Sequence, residues 1–263
     1  MNSLSIICLN CFGIPVSFNR KLRFGNIADK ILETDPDLVL LQEVWMKSDR
    51  NILDKKLSKK YFSYPKTTKS FSSGGLMTFS KNIDLENFEF HKFKNQPPIT
   101  LITIPDRIGG KGFQTFRIHL GNKEIQIINA HLFCAYDKRV RFLQIIEHQL
   151  AEISSYINDT RSSLIVAGDL NLTPDDTRII DFRKQLDLTD GLPKSENTID
   201  LKNLNRGKIM NMFSSEPLRT DYILTNKLIR IVEEKVVFKE IQVTGNKRFQ
   251  TSDHFGVFAK ILC

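Results

Sequence analysis

Short apolar runs rich in β-branched and aromatic residues recur along the whole chain: Leu4 to Leu9, Leu38 to Leu41, Leu76 to Phe79, Ile99 to Ile104, Phe113 to Leu120, Ile125 to Ala130, Leu164 to Ala167, Tyr222 to Leu224, Val236 to Ile241 and Phe255 to Leu262. Their lengths suit strands and fall well short of the ~18 continuous apolar residues that a membrane-crossing helix needs. Helical spacing appears at Leu22, Ile27, Ile31 and Leu32, ending before Pro36, and again at Val140, Leu143, Ile146, Leu150 and Ile153. These predict amphipathic helices with an inward stripe. A shorter helix is predicted after Thr173-Pro174-Asp175-Asp176, with Thr173 as N-cap, proline at the first position and acids in the first turn. Strands outnumber helices, so the class is α/β or α+β. No Pro/Gly/Ser tract, like-charge block or repeat divides the chain, and residues 1–263 read as one domain.

What interrupts the apolar runs is more telling. The first stops at Asn10, the next at Gln42-Glu43, another at His131 and another at Gly168-Asp169-Leu170-Asn171. These lie at C-terminal ends of predicted strands. Asp221 and Asp253-His254 instead precede their runs. If all of them meet on one rim, the last strands run antiparallel to the earlier ones, which calls for mixed sheets rather than an all-parallel one.

Taken singly, each residue has an ordinary alternative: Asn10 as a turn cap, Glu43 as a solvated acid, Gly168 to Asn171 as a turn. His91, His119 and His148 lie in polar or helical surroundings with no partner nearby, and stay without a role. Brought together, Glu43, Asp169, Asp221 and Asp253 would form a pit of like charges that needs a cation. Hard oxygen donors with no cysteine among them favour Mg²⁺ or Mn²⁺ over zinc. Asp169 and Asn171, two apart, would share one face of an extended segment. An Asp beside a His fixes an imidazole's tautomer. Such a set describes metal-assisted attack of water on a phosphoester.

Composition bears on the partner. With 38 Lys+Arg against 30 Asp+Glu the net charge is +8, and 41% of residues are hydrophobic, so a folded protein with an anionic partner is indicated rather than a disordered tail. Cys8, Cys11, Cys134 and Cys263 make no disulfide framework and are read as reduced thiols, Cys8 and Cys11 buried within their apolar run. Met1-Asn2-Ser3-Leu4 lacks the features of a signal peptide, so a soluble cytoplasmic protein is expected.

Ser5 to Asn10, Pro36 to Val44, Asn129-Ala130-His131-Leu132, Gly168-Asp169-Leu170-Asn171, Arg219 to Leu224 and Thr251-Ser252-Asp253-His254 resemble, in order, the motifs of the endonuclease/exonuclease/phosphatase superfamily. The resemblance implies a four-layer α/β sandwich, two packed mixed β-sheets flanked by helices, and a Mg²⁺-dependent phosphodiesterase or phosphatase. It implies Glu43 as principal metal ligand with Asn10 and Asp253 beside it, and Asp169 orienting or deprotonating the attacking water. Asn171 would hold phosphate or that water, and His131 would bond a phosphate oxygen. Asp221 would orient His254, which either stabilises the transition state or acts as base.

Asn10 to Pro15, Gln42-Glu43-Val44-Trp45, Gly74 to Lys81, and His131-Leu132 followed by Tyr136 are similar to the neutral sphingomyelinase branch. Asp106 followed by Lys111-Gly112 is similar to that branch's Asp/Lys pair, in which the lysine approaches the phosphate. Two other stretches, Phe88 to Lys94 and Gly245 to Phe249, interleave aromatics and cations. They would suit a membrane surface or nucleic acid, and equally a half-buried edge strand and a solvated turn. The leading expectation is a sphingomyelinase-like phosphodiesterase of phospholipase C type, monomeric and peripheral at most to the membrane. A Mg²⁺-dependent nuclease comes second, and a non-catalytic scaffold keeping the fold third.

Overall fold

The computed structural model describes residues 3–15, 17–66, 70, 74–100, 103–134, 140–157, 162–205 and 216–262. Tyr136 and Cys263 lie outside them.

Along the first strand, β1 (Ser3–Asn10), Leu4, Ile6 and Cys8 enter one apolar core while Ile7 and Leu9 enter another. Successive side chains of a strand face opposite ways, so β1 must be covered on both sides. Its sheet runs β11 (Arg230–Val237), β14 (Gly256–Leu262), β1, β2 (Leu38–Gln42), β4 (Met77–Ser80) and β3 (Phe62–Tyr64). A second sheet runs β5 (Glu86–Lys92), β6 (Gly112–Leu120), β7 (Lys123–His131), β8 (Ser163–Asp169), β10 (Asp221–Asn226) and β9 (Leu188–Asp190). The β1/β2 and β7/β8 pairs are parallel, while β14 runs antiparallel to β1 and β10 antiparallel to β8. The reversal inferred from the placement of Asp221 and Asp253 is therefore present.

Between the sheets, Leu4, Ile6, Leu38 and Leu40 meet Phe116, Ile118, Ile125, Ile127 and Ile165. Outside the first sheet lie α1 (Arg20–Thr34) and α2 (Lys47–Leu57), which bury Phe24, Ile27, Ile31, Leu53 and Leu57 against Ile7, Leu9, Val39 and Leu41. Outside the second lie α4 (Val140–Ser155) and α5 (Thr177–Gln185), with Ile146, Leu150, Ile153, Ile179 and Phe182 on Ile128, Leu164 and Val166. The result is a four-layer α/β sandwich. Among the described residues, no helix is long and apolar enough to cross a membrane.

Below the strand ends, a polar thread crosses the apolar inter-sheet core. Gln42 Nε2 donates to Asn129 Oδ1 (2.7 Å), Asn129 Nδ2 to Gln114 Oε1 (3.2 Å), and Thr78 Oγ1 to the same Gln114 oxygen (2.7 Å). All four side chains are buried. Each such bond nets only ~1 kcal/mol, but an orphaned partner costs more, so the thread fixes how the sheets face each other more than it adds stability.

Several expectations need correction. Ile99 to Ile104 does not read as a strand where it is described: residues 99–100 lie outside any element, residues 101–102 lie outside the described residues, and Ile104 opens a short helix, α3 (Ile104–Gly109), where Pro105 suits a first-turn position. Val236 to Ile241 is divided between the end of β11 and the start of β12 (Ile241–Thr244), which forms a separate hairpin with β13 (Lys247–Gln250). The N-cap of α5 is Asp176, whose carboxylate accepts from Arg178 N, not Thr173. α2 was not foreseen, because its inward face includes Asp49 and Arg50 alongside Leu53 and Leu57. Phe88 and Phe90 sit half-buried on the edge strand β5, and Phe249 is buried, so the ordinary alternative holds for these aromatics. His91 and His119 have carboxylate neighbours after all, Glu89 at 3.1 Å and Glu86 at 3.5 Å. Cys8 and Cys11 are buried free thiols.

Candidate active site

Register places the polar strand ends side by side. On the second sheet His131 is paired with Asp169 across the parallel β7/β8 ladder, and Asp169 with Asp221 across the antiparallel β8/β10 ladder. On the first sheet Asn10 is paired with Gln42, directly before Glu43. Asn10 Nδ2 then spans the two sheets, donating to Asp169 Oδ2 at 2.9 Å and to Glu43 Oε1 at 3.2 Å. Asn10 is itself fixed, since Phe12 N donates to its Oδ1 and Ser252 Oγ to its carbonyl.

Glu43 follows β2 with φ 59°, a left-handed conformation that a non-glycine residue seldom adopts. The neighbouring chain makes room for it: a Cβ on Gly13 would stand 1.9 Å from the Glu43 carbonyl oxygen. The Gly13 loop is itself held by buried Arg23, which donates to the carbonyls of Cys11, Phe12 and Phe18. Burial, then the nearby Asp253 charge, push the Glu43 carboxyl up to about 7, and its Oε2 is buried without a hydrogen-bond partner. The Lys111 and His254 charges oppose that rise without cancelling it.

His131 Nε2 lies 3.5 Å from Asp169 Oδ2 and 4.0 Å from Glu43 Oε1. Burial, reinforced by the Lys111 and His254 charges, holds its pKa well below the usual imidazole range, so it stays neutral. His254 is the opposite case. Burial alone would lower its pKa, but Asp221, then Asp253 and Asp169, lift it to about 10. Asp221 Oδ2 sits 2.8 Å from Nδ1, leaving Nε2 free of that bond. The two imidazoles thus hold different protonation states at neutral pH.

Asp221 and His254 are seated by residues that their own motifs do not reveal. Thr198 Oγ1 accepts from Thr220 N and Asp221 N, its carbonyl accepts from Phe255 N, and Asn203 Nδ2 donates to the Ser252 carbonyl. These contacts join loops far apart in sequence and carry no periodic signal.

Asn171 departs from the expected extended geometry. Its φ is 51°, its N–H donates to Asp169 Oδ1 and its Nδ2 to the Leu132 carbonyl, so it closes a turn around Asp169 rather than sharing a strand face with it. The same Leu132 carbonyl accepts from Lys111 Nζ at 3.0 Å, and Lys111 pairs with Asp106 at 2.7 Å, both buried. Burial alone would lower the Lys111 pKa, but Asp106, Cys134 and Glu43 raise it overall, which keeps the ammonium charged.

Two donor sets overlap here. Glu43 Oε2 is unpartnered and feels the Asp253 charge, and Asn10 presents its nitrogen to Glu43 while its oxygen accepts from Phe12 N; Asp169, Asp221 and His254 offer ligand atoms within 4.8 Å of one another. In the second set the 2.8 Å Asp221–His254 bond already engages two of the donors. Hard oxygens, with the buried Glu43 Oε2 lacking a hydrogen-bond partner, fit a divalent cation of the Mg²⁺ class.

Comparison with known proteins agrees with this geometry. The model of the "Endonuclease/Exonuclease/phosphatase family" matches residues 7–254. The chain is 31% identical to the "Putative neutral sphingomyelinase" of Drosophila melanogaster over 98% of its own length and 60% of that protein's. It is 27% identical to sphingomyelin phosphodiesterase 2 of Homo sapiens over 84% of its own length and 55% of that protein's, so it spans only part of these relatives. Among solved structures, a Staphylococcus aureus beta toxin variant with bound magnesium ions matches with a TM-score of 0.73 at 19% identity, covering 98% of this chain and 99% of that one.

Proposed function

The chain belongs to the endonuclease/exonuclease/phosphatase family, and from that premise we propose that it is a Mg²⁺-dependent phosphodiesterase acting on a sphingomyelin-type phospholipid from the headgroup side, as a phospholipase C does. One observation carries the chemistry: Asn10, Glu43, Asp169 and His131 converge where the two sheets meet, with the Asp221–His254 pair on the neighbouring strand ends. The names of the curated relatives support the substrate class.

Glu43 and Asp253 would hold the metal, with Asn10 joining them through Oδ1 once its amide turns, and the ion would supply positive charge to the phosphoryl group. Asp169, anchored by Asn10 and by the Asn171 N–H, orients the attacking water and takes its proton. Neutral His131 donates one hydrogen bond to a non-bridging phosphate oxygen. His254, kept as an imidazolium by Asp221, donates a charged one opposite, and Lys111 adds positive charge at the phosphate. Asn171 keeps the Asp169 turn closed beside the phosphate. Residues 1–263 act as one catalytic domain, monomeric, cytoplasmic and in peripheral contact with a membrane.

Purified protein assayed on sphingomyelin, lysophospholipid and plasmid DNA, with Mg²⁺ and with EDTA, tests this reading. Lipid turnover abolished by EDTA is expected. DNA nicking without lipid turnover would instead make the chain a nuclease, and no metal-dependent turnover of any substrate would leave a scaffold.

A further inference from the structure

Trp45, two residues beyond Glu43, is the one tryptophan of the chain, and it is 5% exposed. Its ring lies 6.4 Å from that of His131, tilted by 40°. Two glycines enclose it. A Cβ on Gly75 would stand 2.6 Å from the indole Cε3, and a Cβ on Gly109 would stand 2.8 Å from Cη2. The walls are tied to the site segment and to each other, since Val44 N donates to the Gly75 carbonyl (2.7 Å) and Gly74 N to the Gly109 carbonyl (2.8 Å). Gly109 ends α3, the helix that carries Asp106, and Asp106 pairs with Lys111. The indole therefore fills the space between a phosphate-facing imidazole and the helix that anchors the buried lysine. A merely space-filling aromatic would not need glycine on two sides.

We propose that Trp45 is a positioning residue, a wedge whose thickness sets the separation of His131 from α3 and so places His131 and Lys111 for the same phosphate. The inference rests on the catalytic reading above.

Gly109→Ala tests it most sharply. Alanine is the better helix former, so α3 should not weaken, but the added methyl must displace the indole. The thermal midpoint should fall, because the methyl overpacks a buried ring, while kcat on sphingomyelin with Mg²⁺, measured where circular dichroism shows the variant folded, falls on the order of tenfold or more and the emission maximum of Trp45 shifts. Trp45→Phe should keep part of the rate and Trp45→Ala less of it, in protein whose circular dichroism matches the wild type. Wild-type kcat in folded Gly109→Ala would overturn the inference, as would wild-type kcat in folded Trp45→Ala. If the wild type turns over no phosphodiester, the catalytic reading fails and takes this inference with it. An active wild type beside an equally active Gly109→Ala overturns the inference alone.

Discussion

Asp169 accepts one hydrogen bond from a side chain on the first sheet and another from its own turn, and it stands next to a neutral imidazole. Its orientation is thus set before substrate arrives. Asp169→Asn is nearly isosteric, so a loss of ~10² to 10⁴ in kcat with a small change in thermal midpoint is expected if it handles the water proton. Steady-state kinetics on lipid vesicles decides this, and near wild-type kcat would move that role elsewhere. Asn10→Ala removes the donor shared by Glu43 and Asp169, so Mg²⁺ affinity should weaken ~10- to 100-fold, read by calorimetric titration rather than by rate. At this scale the sequence was most informative, because strand-end polar residues announce themselves against apolar runs. The left-handed backbone of Glu43 and the turn of Asn171 were not legible, since both depend on what packs beside them, Gly13 in one case and Leu132 in the other.

Among the elements, those with a full apolar stripe were foreseen, and those whose buried face is partly polar were missed. α1 and α4 show the first case, each burying a long apolar stripe beside one polar side chain, Arg23 and Gln149; α2, with Asp49 and Arg50 making half of its inward face, shows the second. The capping difference between Thr173 and Asp176 has a simple check. Asp176→Ala should cost about 1 kcal/mol, the usual value of an N-cap, whereas Thr173→Ala should cost less, by chemical denaturation. The polar thread between the sheets is more demanding. Asn129→Ala removes the bonds to Gln42 and Gln114, which keep the Leu40 carbonyl and Thr78 Oγ1 as partners, and with a buried polar side chain lost between the sheets the cost should be ~1–3 kcal/mol, at or above that of the cap. A change below 1 kcal/mol would mean that water replaces the amide.

Over the whole molecule, a buried carboxylate of β11 lies against the edge of the second sheet. Arg219 grips Asp190 through both guanidinium ends, and the Glu234 carboxylate on β11 packs against Gly191. Burial, then the Asp190 charge, raise the Glu234 pKa to about 8. A folded-state pKa above the unfolded value means that the folded protein holds the extra proton. The contribution is full below pH ~4.5 and is lost as pH rises through about 8. Thermal midpoints should therefore decline across that window and decline less in Glu234→Gln; identical slopes would remove Glu234 as the cause. The pairing of β1 with β14 sets Ser3 beside Leu262, so nearly the whole length separates two neighbours. During synthesis on a ribosome, the strand ending at Asn10 emerges well before the segment bearing Asp253 and His254 and waits for it. Until that segment leaves the exit tunnel the cluster of Asn10, Glu43 and Asp169 lacks Asp253 and His254, and the unpaired β1 edge is what a chaperone would meet.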